Sequence, residues 1–160
     1  MSDFVPTIDT LGDSALTDSI IDRSITEFLD NLATSIGKSA FYSCSALTSV
    51  SLPAATSIGE SAFQYCSALT SVSLPVATSI GNSAFYSCSK LEALILENAD
   101  AVCQLSSIYA LRDTLIASGT GYIYVPSALV DTYKAATNWS TYANQIRAIE
   151  DYPEICGTSE

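Results

Sequence analysis

The sequence predicts a solenoid: a parallel β-sheet of stacked 22-residue coils with short helical turns, closed by an α/β C-terminal cap. Three observations predict it. The first is a repeat. Residues 36–57 read IGKSAFYSCSALTSVSLPAATS, residues 58–79 read IGESAFQYCSALTSVSLPVATS, and residues 80–96 begin again as IGNSAFYSCSKLEALIL. Ile36/Ile58/Ile80, Gly37/Gly59/Gly81, Phe41/Phe63/Phe85, Cys44/Cys66/Cys88 and Leu47/Leu69/Leu91 all keep phase. Fixed self-similarity of this length marks coils that bury one apolar face against their neighbours. The second is the charge distribution. Residues 1–35 carry seven acidic side chains and one basic, residues 36–96 sum to zero, and residues 97–160 carry eight acidic and three basic. A neutral body between acidic ends is the pattern of a repeat with distinct caps. The third is the alternation of Val50 and Leu52 within LTSVSL, which suits a strand buried on one side.

Taken in order, residues 1–23 form an acidic arm. The solenoid then runs over 24–96 as half a coil plus three coils. ITEFLDNLATSIG at 25–37 overlays LTSVSLPAATSIG at 47–59, with Ile25 on Leu47 and Phe28 on Val50, and this predicts a terminal strand over 24–29. Leu16, Ile20, Ile21, Ile25, Phe28, Leu29 and Leu32 also fall at helical spacing, so helix and strand both stay open for 15–32. Within each coil Pro53 and Pro75 end the strand, because proline has no N–H for the ladder. Ile-Gly then turns the chain, glycine admitting the positive φ that a tight corner takes. Ala40, Phe41 and Cys44 sit on one side of a short helical turn.

Residues 97–153 make an irregular coil and the C-terminal cap, and 154–160 an acidic tail. GYIYVP is a β-rich run ended by Pro126. Ser127 is the expected N-cap of a helix through SALVDTYKAAT, with Leu129, Tyr133 and Ala136 inward. Asn138 ends it, Trp139 plugs the open end of the core, and IRAI at 146–149 adds a last strand. An end coil left bare would expose both apolar surface and strand edges.

The pattern SIGxSAFxxCxxLTSVxLP resembles the BspA-like leucine-rich repeats of bacterial surface proteins. GYIYVPSALVDTYKAATNWSTYANQIRAIEDYP looks like the C-terminal cap of such proteins from gut bacteria and their phages. The resemblance covers about residues 24–153 and implies a leucine-rich-repeat-type solenoid that adheres or binds, with no chemistry of its own. Secreted members carry a leader and more coils. No basic segment precedes an apolar run here, so the reading expects no signal peptide and favours a phage tail or tail-tip component over a cell-wall adhesin.

Composition excludes several classes. The chain has no histidine, which removes Ser-His-Asp and Cys-His catalysis and the commonest metal ligand. A net charge of −11 argues against nucleic acid and anionic membranes as partners. No apolar run approaches the roughly 18 residues of a membrane span. Cys44, Cys66 and Cys88 recur 22 apart and fit no zinc motif, so they read as buried, reduced thiols; Cys103 reads as a core thiol and Cys156 as a tail thiol. Asp9, Asp13, Asp18 and Asp22 lack the alternate-residue spacing of a calcium loop. Glu150 and Asp151 read as solvated charges, and Asn138-Trp139-Ser140 is a bare glycosylation sequon. No cofactor, metal site or catalytic residue is implied.

The candidate ligand-binding residues are therefore on the outside. Tyr42, Tyr65 and Tyr86 adjoin buried Phe and Cys positions and should project outward, where large rings with few rotors make good anchors. Ser49, Ser51, Ser71 and Ser73 should line the outer face of the sheet as a flat, uncharged surface. The plainer reading is that the tyrosines fill gaps between coils and the serines keep the sheet soluble. Two functions follow. One is a binding or adhesion module for a protein or glycan on a host or other cell surface, extracellular or on a virion. The other is a structural assembly protein without a ligand, which would self-associate through its terminal segments.

Overall fold

The structure is a computed structural model and describes residues 34–156, with side chains to 155. The arm, the half coil, the question over 15–32, Asp9 to Asp22 and the Cys156 thiol lie outside the described residues.

The described chain is a stack of coils with two parallel sheets, one more than the sequence predicts. The shorter sheet orders β1 (Ser35–Ile36), β3 (Ser57–Ile58), β5 (Ser79–Ile80) and β7 (Gln104–Leu105). The longer orders β2 (Ser49–Ser51), β4 (Ser71–Ser73), β6 (Ala93–Ile95), β8 (Tyr122–Val125) and β9 (Ile146–Ala148). Register follows the repeat: Ser35 faces Ser57, Ile58 faces Ile80 and Val50 faces Val72. Val50 and Val72 point into the core while their serine neighbours point out, as the alternation requires; Leu94 continues the inward row, flanked by Ala93 and Ile95, which are buried too.

The Ile-Gly step is thus a strand end as well as a corner, and its glycines serve a different purpose from the one expected. Gly119 is the glycine at positive φ among the described residues, and the left-handed positions of the coils are Ser39, Ser43, Ser61, Tyr65, Ser83 and Ser87. Gly59 and Gly81 are required by close approach. A Cβ on Gly81 would stand 2.7 Å from the Glu60 nitrogen and from the Gly59 carbonyl carbon, both backbone atoms of the coil below. Gly81→Ala should therefore force two coils apart and lower stability by about 1–3 kcal/mol, read by urea denaturation.

Between the two strands of each coil runs a turn side, 38–44 and its equivalents. Ala40, Tyr42 and Cys44 donate their N–H groups within the coil to Gly37, Ser39 and Phe41, the three-residue step of a 3-10 turn. Ser39, Phe41 and Ser43 donate to Glu60, Ala62 and Gln64 of the next coil at 2.9, 2.7 and 2.7 Å. Every N–H from 39 to 44 is thereby occupied. In the fourth coil the same place is a 3-10 helix, Ile108–Leu111, capped by Ser107.

Inside, Phe41, Phe63 and Phe85 stack with ring centroids 5.2 and 5.4 Å apart and planes within 8°. Cys44, Cys66 and Cys88 are buried beside them as thiols rather than disulfides, and the Cys66 and Cys88 thiols donate to the Phe41 and Phe63 carbonyls at 3.1 and 3.0 Å. On the outside corner, Thr56, Thr70 and Thr78 hydroxyls donate to Thr34, Thr48 and Thr56, each 22 positions back.

The fourth coil is longer. Ile80 faces Leu105, and Ala93 faces Tyr122, so insertions before β7 and before β8 break the 22-residue count while the ladders continue. The second insertion holds α1 (Leu115–Ser118), capped by Thr114 and ended by Gly119 at φ 99°.

After β8 the cap forms: a 3-10 helix over Ser127–Leu129, α2 (Val130–Ala135), a 3-10 stretch over Trp139–Gln145, β9, a 3-10 turn over Ile149–Asp151 and α3 (Pro153–Cys156). Ser127 is not the N-cap. It lies inside the 3-10 helix, and its N–H is satisfied by the Glu150 carboxylate at 2.9 Å, so Glu150 is a capping group rather than a free tail charge. Tyr133 is buried, and Leu129 and Ala136 pack on the core as expected.

The cap seals the edge of the shorter sheet with side chains. The Cys103 N–H donates to the Tyr133 hydroxyl at 2.8 Å, the Trp139 indole N–H donates to the Cys103 carbonyl at 2.7 Å, and the Asn138 amide donates to the Leu105 carbonyl at 2.6 Å. Groups that would template another strand are thus occupied. The Asn138 amide of the sequon thus has a structural partner in the folded chain.

Candidate functional site

Tyrosines dominate the turn side. Tyr42 and Tyr65 are 38% and 42% exposed, whereas Tyr86 is half-buried rather than projecting freely. The three form one row across three coils, with Tyr42–Tyr65 centroids 5.5 Å apart and Tyr65–Tyr86 6.2 Å, each pair edge to face. Such contacts hold exposed rings in one geometry.

Tyr65 occupies a different slot from its partners. Tyr42 and Tyr86 directly follow the buried phenylalanine; in the second coil Gln64 takes that place and the ring moves to the next residue. That position is left-handed in every coil: Ser43, Tyr65, Ser87 and Asp113 have φ of 60°, 65°, 59° and 62°. A short polar side chain tolerates it, but a tyrosine there is strained by roughly 1–3 kcal/mol. The displaced slot puts the Tyr65 ring between Tyr42 and Tyr86. Tyr65→Gly should raise stability by about 1 kcal/mol in denaturant unfolding, since glycine adopts this conformation without penalty.

The serines lie elsewhere. Ser49, Ser51, Ser71 and Ser73 sit on the outer face of the longer sheet, the first two exposed and the second two half-buried. In the tyrosine row the residues belong to the turn side, so the two candidate groups occupy different elements of the coil. Towards the cap the serine face changes character. Ala93 and Ile95 follow Ser71 and Ser73 in register, and Tyr122 and Tyr124 follow them. Tyr152 packs on Tyr124 at 5.3 Å, and the Arg147 guanidinium lies 4.6 Å from the Tyr122 ring centre. This aromatic end of the face was missed because its residues fall past the regular repeat.

Sequence reasoning also missed Tyr109, 45% exposed on the turn side of the fourth coil, with the Arg112 guanidinium 5.3 Å from its ring centre. The signal was present: the SAFYS segment aligns with the segment ending in Arg112-Asp113 once four extra residues are allowed for.

Two of the buried thiols, Cys66 and Cys103, are held in the neutral form. The Cys44 thiol favours the Cys66 thiolate, but the hydrogen bond with Cys88, burial and repulsion from Cys88 outweigh it and push the Cys66 thiol well above its ordinary value. Burial alone pushes Cys103 up to about 12, and burial outweighs the Cys103 hydrogen bond to push Tyr133 up to about 12. These groups stay neutral in the folded chain and ionise first in the unfolded one. Their contribution is full below the unfolded thiol value of 9.0 and is lost as pH rises from there towards 12. Stability should be flat near neutrality and fall above about pH 9, by about 1.4 kcal/mol per pH unit for each such thiol; Cys103→Ala should make the fall shallower in urea melts run across that range.

Among the described residues no group of three or more Cys, Asp or Glu side chains is placed to hold a metal ion, and no helix is long and apolar enough to cross a membrane.

The chain was compared with known proteins. The BspA type leucine-rich repeat region matches residues 4–113, in six copies. Among solved structures, a leucine-rich repeat protein of T. pallidum is similar at 24% identity, over 61% of this chain and 54% of that one, with a TM-score of 0.40. The match thus spans about half the length of that protein. No curated protein matches the chain.

Proposed function

The chain belongs to the BspA-type leucine-rich repeat family, and from that premise we propose that it is a non-catalytic module whose turn side binds a protein or glycan on a cell surface. The observation that carries this reading is the tyrosine row. Exposed rings are held edge to face across three coils, and one of them occupies a strained backbone position that serine fills elsewhere. Tyrosine is among the residues that most often dominate binding energy. The serine face is the flanking surface, small and uncharged, over which a large partner can lie.

Such a module works at the tip of a phage tail or on a bacterial envelope. Tail genes beside the coding sequence would support the first setting, and sortase or secretion genes the second. The direct test is retention of fluorescently labelled protein on intact bacterial cells. Saturable retention, competed by unlabelled protein, is expected. Retention that rises linearly with concentration would contradict a binding role.

A further inference from the structure

The tyrosine row does not end with the third coil, and its surroundings specify a ligand class. Phe85 donates its N–H to Ala110 and Ser87 donates to Arg112, at 2.9 Å each, which sets Arg112 one coil beyond Tyr86 and in line with it. Arg112 is exposed, and its guanidinium rests against the exposed Tyr109 ring. Resting on deeper reading of the site proposed above, we infer that Tyr109 and Arg112 form the fourth member of the row and that the ligand is an uncharged polysaccharide laid along the solenoid axis.

Three observations select that class. First, the turn side is electrically balanced. Segments 38–43, 60–65, 82–87 and 108–113 carry Lys38, Glu60, Arg112 and Asp113, one positive for each negative, in a chain of net charge −11. A polyanion would meet no excess of positive charge here and a repelling field from the whole chain. Second, the backbone of this side is closed to an extended peptide. Strand addition needs free N–H and C=O groups, and the N–H groups of Ser39, Phe41, Ser43, Ser61, Phe63 and Tyr65 are all given to the next coil. Recognition must therefore run through side chains. Third, those side chains are ring faces with hydroxyl and amide neighbours: Gln64 in the slot between Tyr42 and Tyr86, Asn82 at the start of the third turn, and Ser87 bonded to Asp113 at 3.4 Å. Rings suit the C–H faces of a sugar, while amides, hydroxyls and the five N–H donors of Arg112 suit its hydroxyl groups. At about 4.8 Å per coil the four members span roughly 14 Å, room for several sugar units.

The test uses the full chain on an array of immobilised neutral oligosaccharides, acidic oligosaccharides and peptides, and on intact cells treated with periodate or protease. Binding to neutral oligosaccharides is expected, with retention lost after periodate, which cleaves vicinal diols, and kept after protease. Tyr109→Ser combined with Arg112→Ser should weaken binding about tenfold or more with an unchanged thermal melt, as truncation of anchor residues does. Binding to acidic oligosaccharides alone, to peptides alone or to nothing on the array overturns the inference. So does retention removed by protease and untouched by periodate. The two levels of the reading separate: if replacing Tyr42, Tyr65 and Tyr86 abolishes cell retention that periodate leaves intact, the row stands and only the ligand class fails. If the Tyr109 and Arg112 variant binds as the parent does, the row ends at Tyr86.

Discussion

Phe63→Ala should lower the unfolding free energy by about 3–5 kcal/mol, a large part of the stability of a domain this size. Phe63 is fully buried and stacks on Phe41 on one side and Phe85 on the other. Removing its ring empties a fully buried site between two more rings. The backbone there cannot collapse to refill it, because Phe63 donates to Ala84 and Cys66 to Phe63 within a saturated turn. Chemical denaturation of the variant would read the loss directly. A change below about 1 kcal/mol would mean that the three phenylalanines do not form a continuous core.

Trp139→Ala should cost a comparable 3–5 kcal/mol, by a different route. Trp139 is 1% exposed, meets Tyr133 edge-on at 5.3 Å, and supplies the N–H that satisfies the Cys103 carbonyl. Its loss leaves a cavity at the end of the core, an orphaned buried carbonyl and an unsealed strand edge. Trp139→Phe keeps most of the volume and loses the hydrogen bond, so it should cost less, about 1–3 kcal/mol. The alanine variant should also self-associate on heating through the exposed edge of β7, which light scattering would detect. Two variants as stable as the parent would mean that volume and hydrogen bond at this position are both dispensable.

How far the fold was legible depends on which residues broke the repeat. The longer sheet was plain because Val50 and Val72 alternate with serines over three residues. The shorter sheet was hidden, since two residues, Ser-Ile, are too few to show a period of two. Glycine at Gly59 and Gly81 was rightly noticed but for the wrong cause: close approach of stacked backbones leaves no mark in one sequence that distinguishes it from a corner. The left-handed turn positions were invisible because serine fills them and the strand positions alike in this chain. Glu150 could not be found as the cap of Ser127, because the two are 23 positions apart and only the parallel return of β9 joins them. The thiol ladder and the plug formed by Trp139 were legible from apolar phase alone.

The candidate site was legible in its residue types and less so in its geometry. Tyr42, Tyr65 and Tyr86 were picked out as neighbours of buried positions, which is where the chain places them. The one-residue offset of Tyr65 is written in the sequence as FQY against FYS, but its consequence needs the φ of that slot. Tyr109 escaped notice because the insertions before it disguise the coil it belongs to.

If the tyrosine row binds, its binding should be separable from the fold. The most direct measurement replaces Tyr42, Tyr65 and Tyr86 together with Ser and compares retention on intact bacterial cells with the thermal melt of the same protein. The account predicts that retention is lost while the melt stays close to the parent, because surface changes are usually worth within about 0.5 kcal/mol each and relief of strain at Tyr65 offsets part of any loss. Retention and melt both unchanged, or a melt that collapses along with retention, would contradict it.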